Sequence, residues 1–282
     1  MGNNSQIAAP KPIVLTPPKT LEMPNFKEVW EARDLLFFLT GRDLKVRFQQ
    51  TVVGVLWIAL QPIIQMLIFY FILGLLVKMP TDGVPYPLFY LSGFVVWQLF
   101  SQVVNGNAFS LLGNITIIVK SYFPRLILPL SATISSLVDF SVSFVLFVVF
   151  LIANHYPITT RFLLLPVLLL ITLLFSSGVG MLFGALMVTF RDVKNFLTFI
   201  LMIWMYITPV IYPTSLVPEQ YRPYLYLNPL TSLVDAYRWA FLGIGSLPAM
   251  GNLMISTLVA VFLWFAGAIA FRSMENRIAD VM

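Results

Sequence analysis

Few side chains in this 282-residue chain are equipped for chemistry. His155 is the one histidine, set beside Tyr156, and there is no cysteine. Neither a thiolate site nor a histidine cluster for a metal can be assembled from that inventory, and His155 reads as a solvated loop residue. No Gly-x-x-x-x-Gly-Lys run occurs, so the chain has no P-loop for a nucleotide. No carboxylate pair suits general acid–base work. Asp139 stands in an apolar stretch flanked by Ser135, Ser136, Ser141 and Ser143. An acid inside a membrane segment is a functional candidate by default. Two roles are open for it, a packed or pore-facing hydrogen bond and proton coupling, and the scarcity of other intramembrane ionisable groups favours the first. Catalysis and ion coupling are both weakly supported, and neither a cofactor nor a metal is expected in this chain.

The elements that must position these residues are membrane helices. The composition is 59% hydrophobic and 10% charged, with a mean hydropathy of +0.88, against about 45–50% and about 25% in an ordinary soluble domain. That surplus of apolar surface has to face lipid. Segments of about 20 apolar residues are needed for a crossing. They fall at residues 52–77, 87–112, 126–153, 162–190, 196–212 and 253–271. Between the last two, residues 213–251 hold apolar pieces too short to cross, broken at Asn228-Pro229 and Gly243. Such pieces read as re-entrant or external helices packed in protein or lining a water-filled cavity. The expected fold is an all-α integral membrane protein with six transmembrane helices. Ser176, Gly180 and Gly184 recur on one face of the fourth span and predict a close helix contact, within the protein or between copies.

Ahead of the spans, residues 1–24 read as a flexible cytoplasmic tail rich in Pro, Lys and Thr. Asn25 and Glu28 form a capping-box arrangement. Phe26, Val29, Trp30 and Phe37 follow at helical spacing, which predicts an amphipathic interfacial helix over 25–38; a soluble helix packed on a partner is the other reading. Residues 25–50 thus form an interfacial helix and elbow, 51–272 the transmembrane domain and 273–282 a cytoplasmic C-terminus. With both termini inside, thirteen of the seventeen lysines and arginines fall on the cytoplasmic side, as the positive-inside rule requires. The net charge of +5 therefore needs no nucleic-acid partner.

Four stretches carry a family resemblance. They are RDLKVRFQQTVVGVLWIALQP (42–62), NITIIVKSYFPRLILPLS (114–131), the segment opening FRDVKNF and closing TPVIYP (190–213), and LNPLTSLVDAYRWAFLG (227–243). Together and in this order they resemble the membrane subunits of ABC-2-type exporters, in particular those of O-antigen, capsule or teichoic acid. The resemblance implies a homodimer of six-span subunits in the bacterial plasma membrane, docked to two separate ATP-binding ABC subunits that hold ATP and Mg. It also implies a coupling helix around Ile115 to Tyr122 and a second, smaller contact at Arg191 to Asn195. The coupling residues are then Ile115, Ile117, Ile118, Lys120, Tyr122, Arg125, Arg191 and Asp192. A plain basic loop is the competing reading of the first of these contacts.

The cargo implied is a lipid-linked polysaccharide. Sugar rings stack on aromatic faces and their hydroxyls pair with amides. Candidate channel residues are Trp57, Gln61, Phe69 and Tyr70 in the first span and Phe94, Trp97, Gln98, Phe100 and Asn105 in the second. Facing lipid is the alternative for each aromatic. Export of a drug or small lipid within the same superfamily, or a membrane enzyme or assembly factor without an ATPase, are the alternative functions.

Overall fold

The computed structural model describes residues 26–48, 56–120, 123–245 and 250–280. Every regular element among the described residues is helical. The tail at 1–24, Asn25, the stretch 49–55 that joins the elbow to the first span, and Tyr122 lie outside the described residues.

The expected single interfacial helix is two. Helix α1 (Phe26–Glu31) stops at Ala32, and α2 (Arg33–Phe48) begins there. The Leu35 and Leu36 N–H groups converge on the Ala32 carbonyl at 3.1 and 3.2 Å. The break turns α2 onto the bundle, where Leu39 is buried in a cluster with Leu111, Phe123 and Ile127. Trp30, Phe37 and Phe38 stay exposed.

Five helices among the described residues are long and apolar enough to cross a membrane, and a sixth is apolar but shorter. The first, α3 (Leu56–Phe69), runs on as a π-helix to Leu76. It is followed by α4 (Tyr86–Gly113), the short α5 (Ile115–Lys120), α6 (Ile127–Ala153) and α7 (Leu165–Thr189), which a 3-10 turn from Thr160 precedes. Then come α8 (Val193–Ile207), α9 (Arg222–Leu225), α10 (Pro229–Leu242) and α11 (Met250–Asp280).

Helix α4 is the axis. It packs on α6, α7 and α10, and every residue from Leu88 to Phe100 is buried. A helix apolar nearly all round belongs in an interior, and here protein encloses it. Helix α3 is the opposite case, most of its residues facing outward.

Glycines set the closest approaches. A Cβ on Gly178 of α7 would meet the Leu263 and Trp264 backbone of α11 at 2.6 Å, and one on Gly267 would meet the Gly178 carbonyl at 2.5 Å. Gly180 and Gly184 face α4 in the same way. The small-residue stripe is thus an internal seam.

Helix α8 ends earlier than the sequence pattern suggests. Its 15 residues span about 22 Å, short of the roughly 30 Å of a hydrocarbon core. Thr208 is extended, at ψ 135°, as the residue before a proline tends to be. Beyond it, α10 is one of the short apolar pieces expected to pack within protein. It packs on α4, α7 and α11 with most of its residues buried. Asn228 caps it by accepting from the Leu230 N–H at 3.2 Å, Pro229 occupies the first turn, and Gly243 at φ +67° closes it.

Replacing Gly178 with Val forces the α7 and α11 backbones apart. The expected cost is about 1–3 kcal/mol or more, read as a lowered thermal midpoint of the detergent-purified chain. Gly113→Val, where a Cβ meets nothing within 4 Å, serves as the control.

Candidate functional site

At one end of the bundle α4 hands over to α5 through Asn114. The Asn114 carbonyl accepts from the Ile117 and Ile118 N–H groups at 3.0 Å, and its side-chain amide donates to the Ser110 carbonyl at 2.9 Å. Arg42 of α2 donates to Asn114 Oδ1 at 2.6 Å and to Asp43 at the same distance. One guanidinium therefore ties α2 to the start of α5. On α5, Ile118 faces the bundle, Ile115 and Ile117 are half-buried, and Lys120 is exposed. Phe123, past the turn, is buried and Arg125 half-buried. Arg191 and Asp192 are exposed between α7 and α8 at this same end. The Lys194 ammonium lies 5.8 Å from the centroid of the Phe109 ring, about a turn from the end of α4. The expected coupling residues inside the described region thus share one face of the protein.

The candidate channel residues divide. Trp97 and Asn105 of α4 meet Ser101 and, across from them, Met202, Met205 and Tyr206 of α8, around an open groove of about 210 Å³. Asn105 donates to the Ser101 carbonyl at 2.9 Å. Trp97 reaches the groove only by an edge, being 6% exposed and packed on Phe100 at 5.4 Å, and Gln98, Phe94 and Phe100 turn into the interior as well. Phe94 stacks on Tyr90 at 5.3 Å, and Phe100 packs edge-on to Trp204 at 5.0 Å. Trp57 and Gln61 are exposed on α3. Phe69 and Tyr70, further along, are half-buried, with Phe69 stacked on Tyr90 at 5.1 Å. Asp139 is buried on the same face of α6 as Ser135, Ser136 and Ser143. His155 is exposed at the end of α6, at φ +57°.

Arg238, one of the four basic residues outside the cytoplasmic thirteen, is a functional residue that the charge count alone does not single out. It is 3% exposed on α10 and grips the chain where α8 has stopped. Its Nη1 donates to the Pro209 carbonyl at 2.6 Å and to that of Tyr212 at 3.4 Å. Its Nη2 donates to the Val210 carbonyl at 2.6 Å. The guanidinium also lies 3.8 Å from the centroid of the Phe89 ring. Asn228 completes the join: Oδ1 accepts from Trp204 Nε1 at 3.0 Å and the amide donates to Thr208 Oγ1 at 2.9 Å. The available signal was an Asp-Ala-Tyr-Arg run inside an otherwise apolar 14-residue helix.

Asp235 sits one turn before Arg238 and accepts from Thr214 Oγ1 at 2.8 Å and from the Tyr226 hydroxyl at 3.1 Å. Burial holds its carboxyl above the ordinary range, although Arg238 pulls the other way. Burial, with Asp235 beside it, pushes the Tyr226 phenol up to about 12.

Arg238→Met leaves the 209–212 carbonyls without their donor and is expected to cost at least about 3 kcal/mol of stability. Arg238→Lys recovers part of it, because an ammonium lacks the planar fork. Thermal unfolding in detergent reads both. A carboxyl with a raised folded pKa takes up a proton on folding between its ordinary and raised values, so stability falls as pH rises through that window. Asp235→Asn flattens that part of the pH–stability profile.

Comparison with known proteins places this architecture. A family model described as ABC-2 type transporter matches residues 34–242. The O-antigen export system permease protein RfbA of Myxococcus xanthus is 31% identical over 256 residues, covering 90% of this chain and 97% of that protein. Its namesake in Klebsiella pneumoniae is 29% identical over 251 residues, 88% of this chain and 95% of the relative. The polysialic acid transport protein KpsM of Escherichia coli is 26% identical over 228 residues, 80% and 88%. A helical, multi-span protein matched over three-quarters of its length by that model, and over 90% of it by a permease 31% identical, belongs to the ABC-2 type transporter family.

Proposed function

We propose that the chain is the channel-forming subunit of an ATP-driven exporter that moves a lipid-linked polysaccharide out of the cytoplasm across the bacterial plasma membrane. The observation that carries this is the α4–α8 groove. Asn105 and Ser101 are polar and only half-buried there, and hydrocarbon is a costly neighbour for such groups. A water-filled path between two copies of the chain hydrates them, and it sets the exposed Tyr206 to stack weakly and repeatedly on a sliding sugar chain. The outward apolar faces of α3 and α8, with Leu60, Ile64, Phe199 and Met202 exposed, then meet the second copy or membrane lipid. The relatives named for O-antigen export and polysialic acid transport support the cargo class.

In this reading the α5 end faces the cytoplasm, as do both termini. There the half-buried isoleucines of α5 and the basic Lys120, Arg125 and Arg191 dock on a separate ATP-binding subunit, which holds ATP and Mg. Closure of the two ATP-binding subunits pushes α5. The Arg42–Asn114 bond passes that displacement to the interfacial helix, and Asn114 passes it to α4. Asp139 serves as a buried hydrogen-bonding group of α6.

Purified in mild detergent from its own membrane, the chain is expected to bring down a P-loop ATPase in equal amount; reproducible absence of that protein overturns the proposal. Ile115→Asp combined with Lys120→Glu should weaken retention of the ATPase at least about tenfold, the loss of one interface anchor. Asn105→Ala with Tyr206→Ala leaves the ATPase bound but cuts surface polysaccharide several-fold. Unchanged export in that double variant removes the groove from the path.

A further inference from the structure

At the end of the bundle away from α5, a cavity of about 180 Å³ opens beside Arg238. Its floor is Arg238 and Phe89, both buried, and its rim is Asp82 and Ser215, both exposed. Asp235 and Tyr226 line it between the two. The space holds several waters or one six-membered sugar ring.

The lining chemistry selects among ligands. Two carboxylates, Asp82 and Asp235, share the wall with two guanidiniums, Arg222 and Arg238. A metal ion would sit against the guanidiniums, and an anion against the carboxylates. A hydroxyl is donor and acceptor at once, so a neutral polyhydroxylated ligand makes use of both. The wall also keeps unused capacity: Arg238 Nε–H is buried with no hydrogen-bond partner, in a molecule where such groups are normally paired. Asp82 is held in place by Ser215, whose hydroxyl donates to Oδ1 at 2.9 Å. Arg222 is held by the carbonyls of Val217 at 2.9 Å and Ser215 at 3.2 Å. These side chains are therefore oriented before any ligand arrives, which lowers the entropic cost of binding.

We propose that this cavity is a subsite for a single neutral sugar unit. The assignment rests on the polysaccharide reading above, and gives the emerging chain a holding point outside the α4–α8 groove. Each unit leaving the membrane exchanges its hydroxyls from water to Asp82, Asp235 and Arg238, then yields to the next.

The test uses the full chain in lipid nanodiscs and saturation-transfer NMR with methyl α-glucoside, methyl α-mannoside and methyl α-galactoside as probes. Saturation transfer to at least one glycoside is expected. Asp82→Asn, on the exposed rim, should weaken it about tenfold, as loss of a charge-assisted hydrogen bond does, without lowering the thermal midpoint. Asn105→Ala with Tyr206→Ala, in the separate groove, should leave the Asp82-dependent signal in place. No transfer to any of the three glycosides, or transfer insensitive to Asp82→Asn, overturns the subsite. So does an Asp82-dependent rise in thermal midpoint with calcium or inorganic phosphate but not with glycoside. Surface polysaccharide measured in cells carrying the wild-type chain separates the two readings: polymer exported without glycoside binding removes only the subsite, and no polymer exported removes the transport reading.

Discussion

A backbone carbonyl inside a membrane protein has to find a donor within the protein. Helix α8 stops at Ile207, and the carbonyls of Pro209, Val210 and Tyr212 lie beyond its hydrogen-bond ladder. Arg238 supplies their donors from a different helix. Much else in that half of the molecule follows from this one guanidinium. Helix α10 has to be buried to deliver it, Gly93 has to be a glycine because a Cβ there would come within 2.8 Å of Nη2, and Phe89 has to present its ring as a base for it. A buried charge of this kind is tolerated because three carbonyls and an aromatic face surround its terminal nitrogens.

The same constraint separates the molecule into parts of different stiffness. Helices α7 and α11 meet backbone to backbone at Gly178 and Gly267, which leaves no slack for sliding. Helix α4 is enclosed by α6, α7 and α10. Helix α3 and the short α8 are held more lightly, with wide exposed faces. Arg42 and Asn114 join α2 to α5 through a single 2.6 Å hydrogen bond. Helices α3 and α8 are therefore the lightly held elements beside a closely packed α4–α7–α11 frame.

The membrane class, the helical spans and the family were legible in the sequence because each depends on long runs or on ordered stretches of residues. The run 86–113 is apolar enough to announce a helix, but hydropathy is blind to whether lipid or protein covers it. That is why Phe94, Trp97, Gln98 and Phe100 read as channel candidates and are buried, while Asn105, one to two turns further on, is half-exposed at the groove. The break at Ala32 has no proline or glycine to mark it and comes from packing on α6. Arg238 was hidden by its own sequence context: a charge counts as a loop residue until the carbonyls it serves, 26 to 29 positions earlier, are brought beside it by the fold.

The enclosure of α4 carries a consequence for biosynthesis. Synthesis runs from the N-terminus, so α3 leaves the ribosome as a hydrophobic helix that lipid alone can accommodate. Helix α4 follows with Ser92, Gln98 and Asn107, all buried in the finished protein, before α6, α7 and α10 exist to cover them. Asn107 waits for Thr133, whose hydroxyl donates to its Oδ1 at 3.2 Å, and the α4 surface around Gly93 waits for Arg238. Until the last fifth of the chain is made, the helix at the centre of the bundle is its least settled one, and a ribosome that stalls before α10 leaves in the membrane a chain whose central helix still has polar surface uncovered.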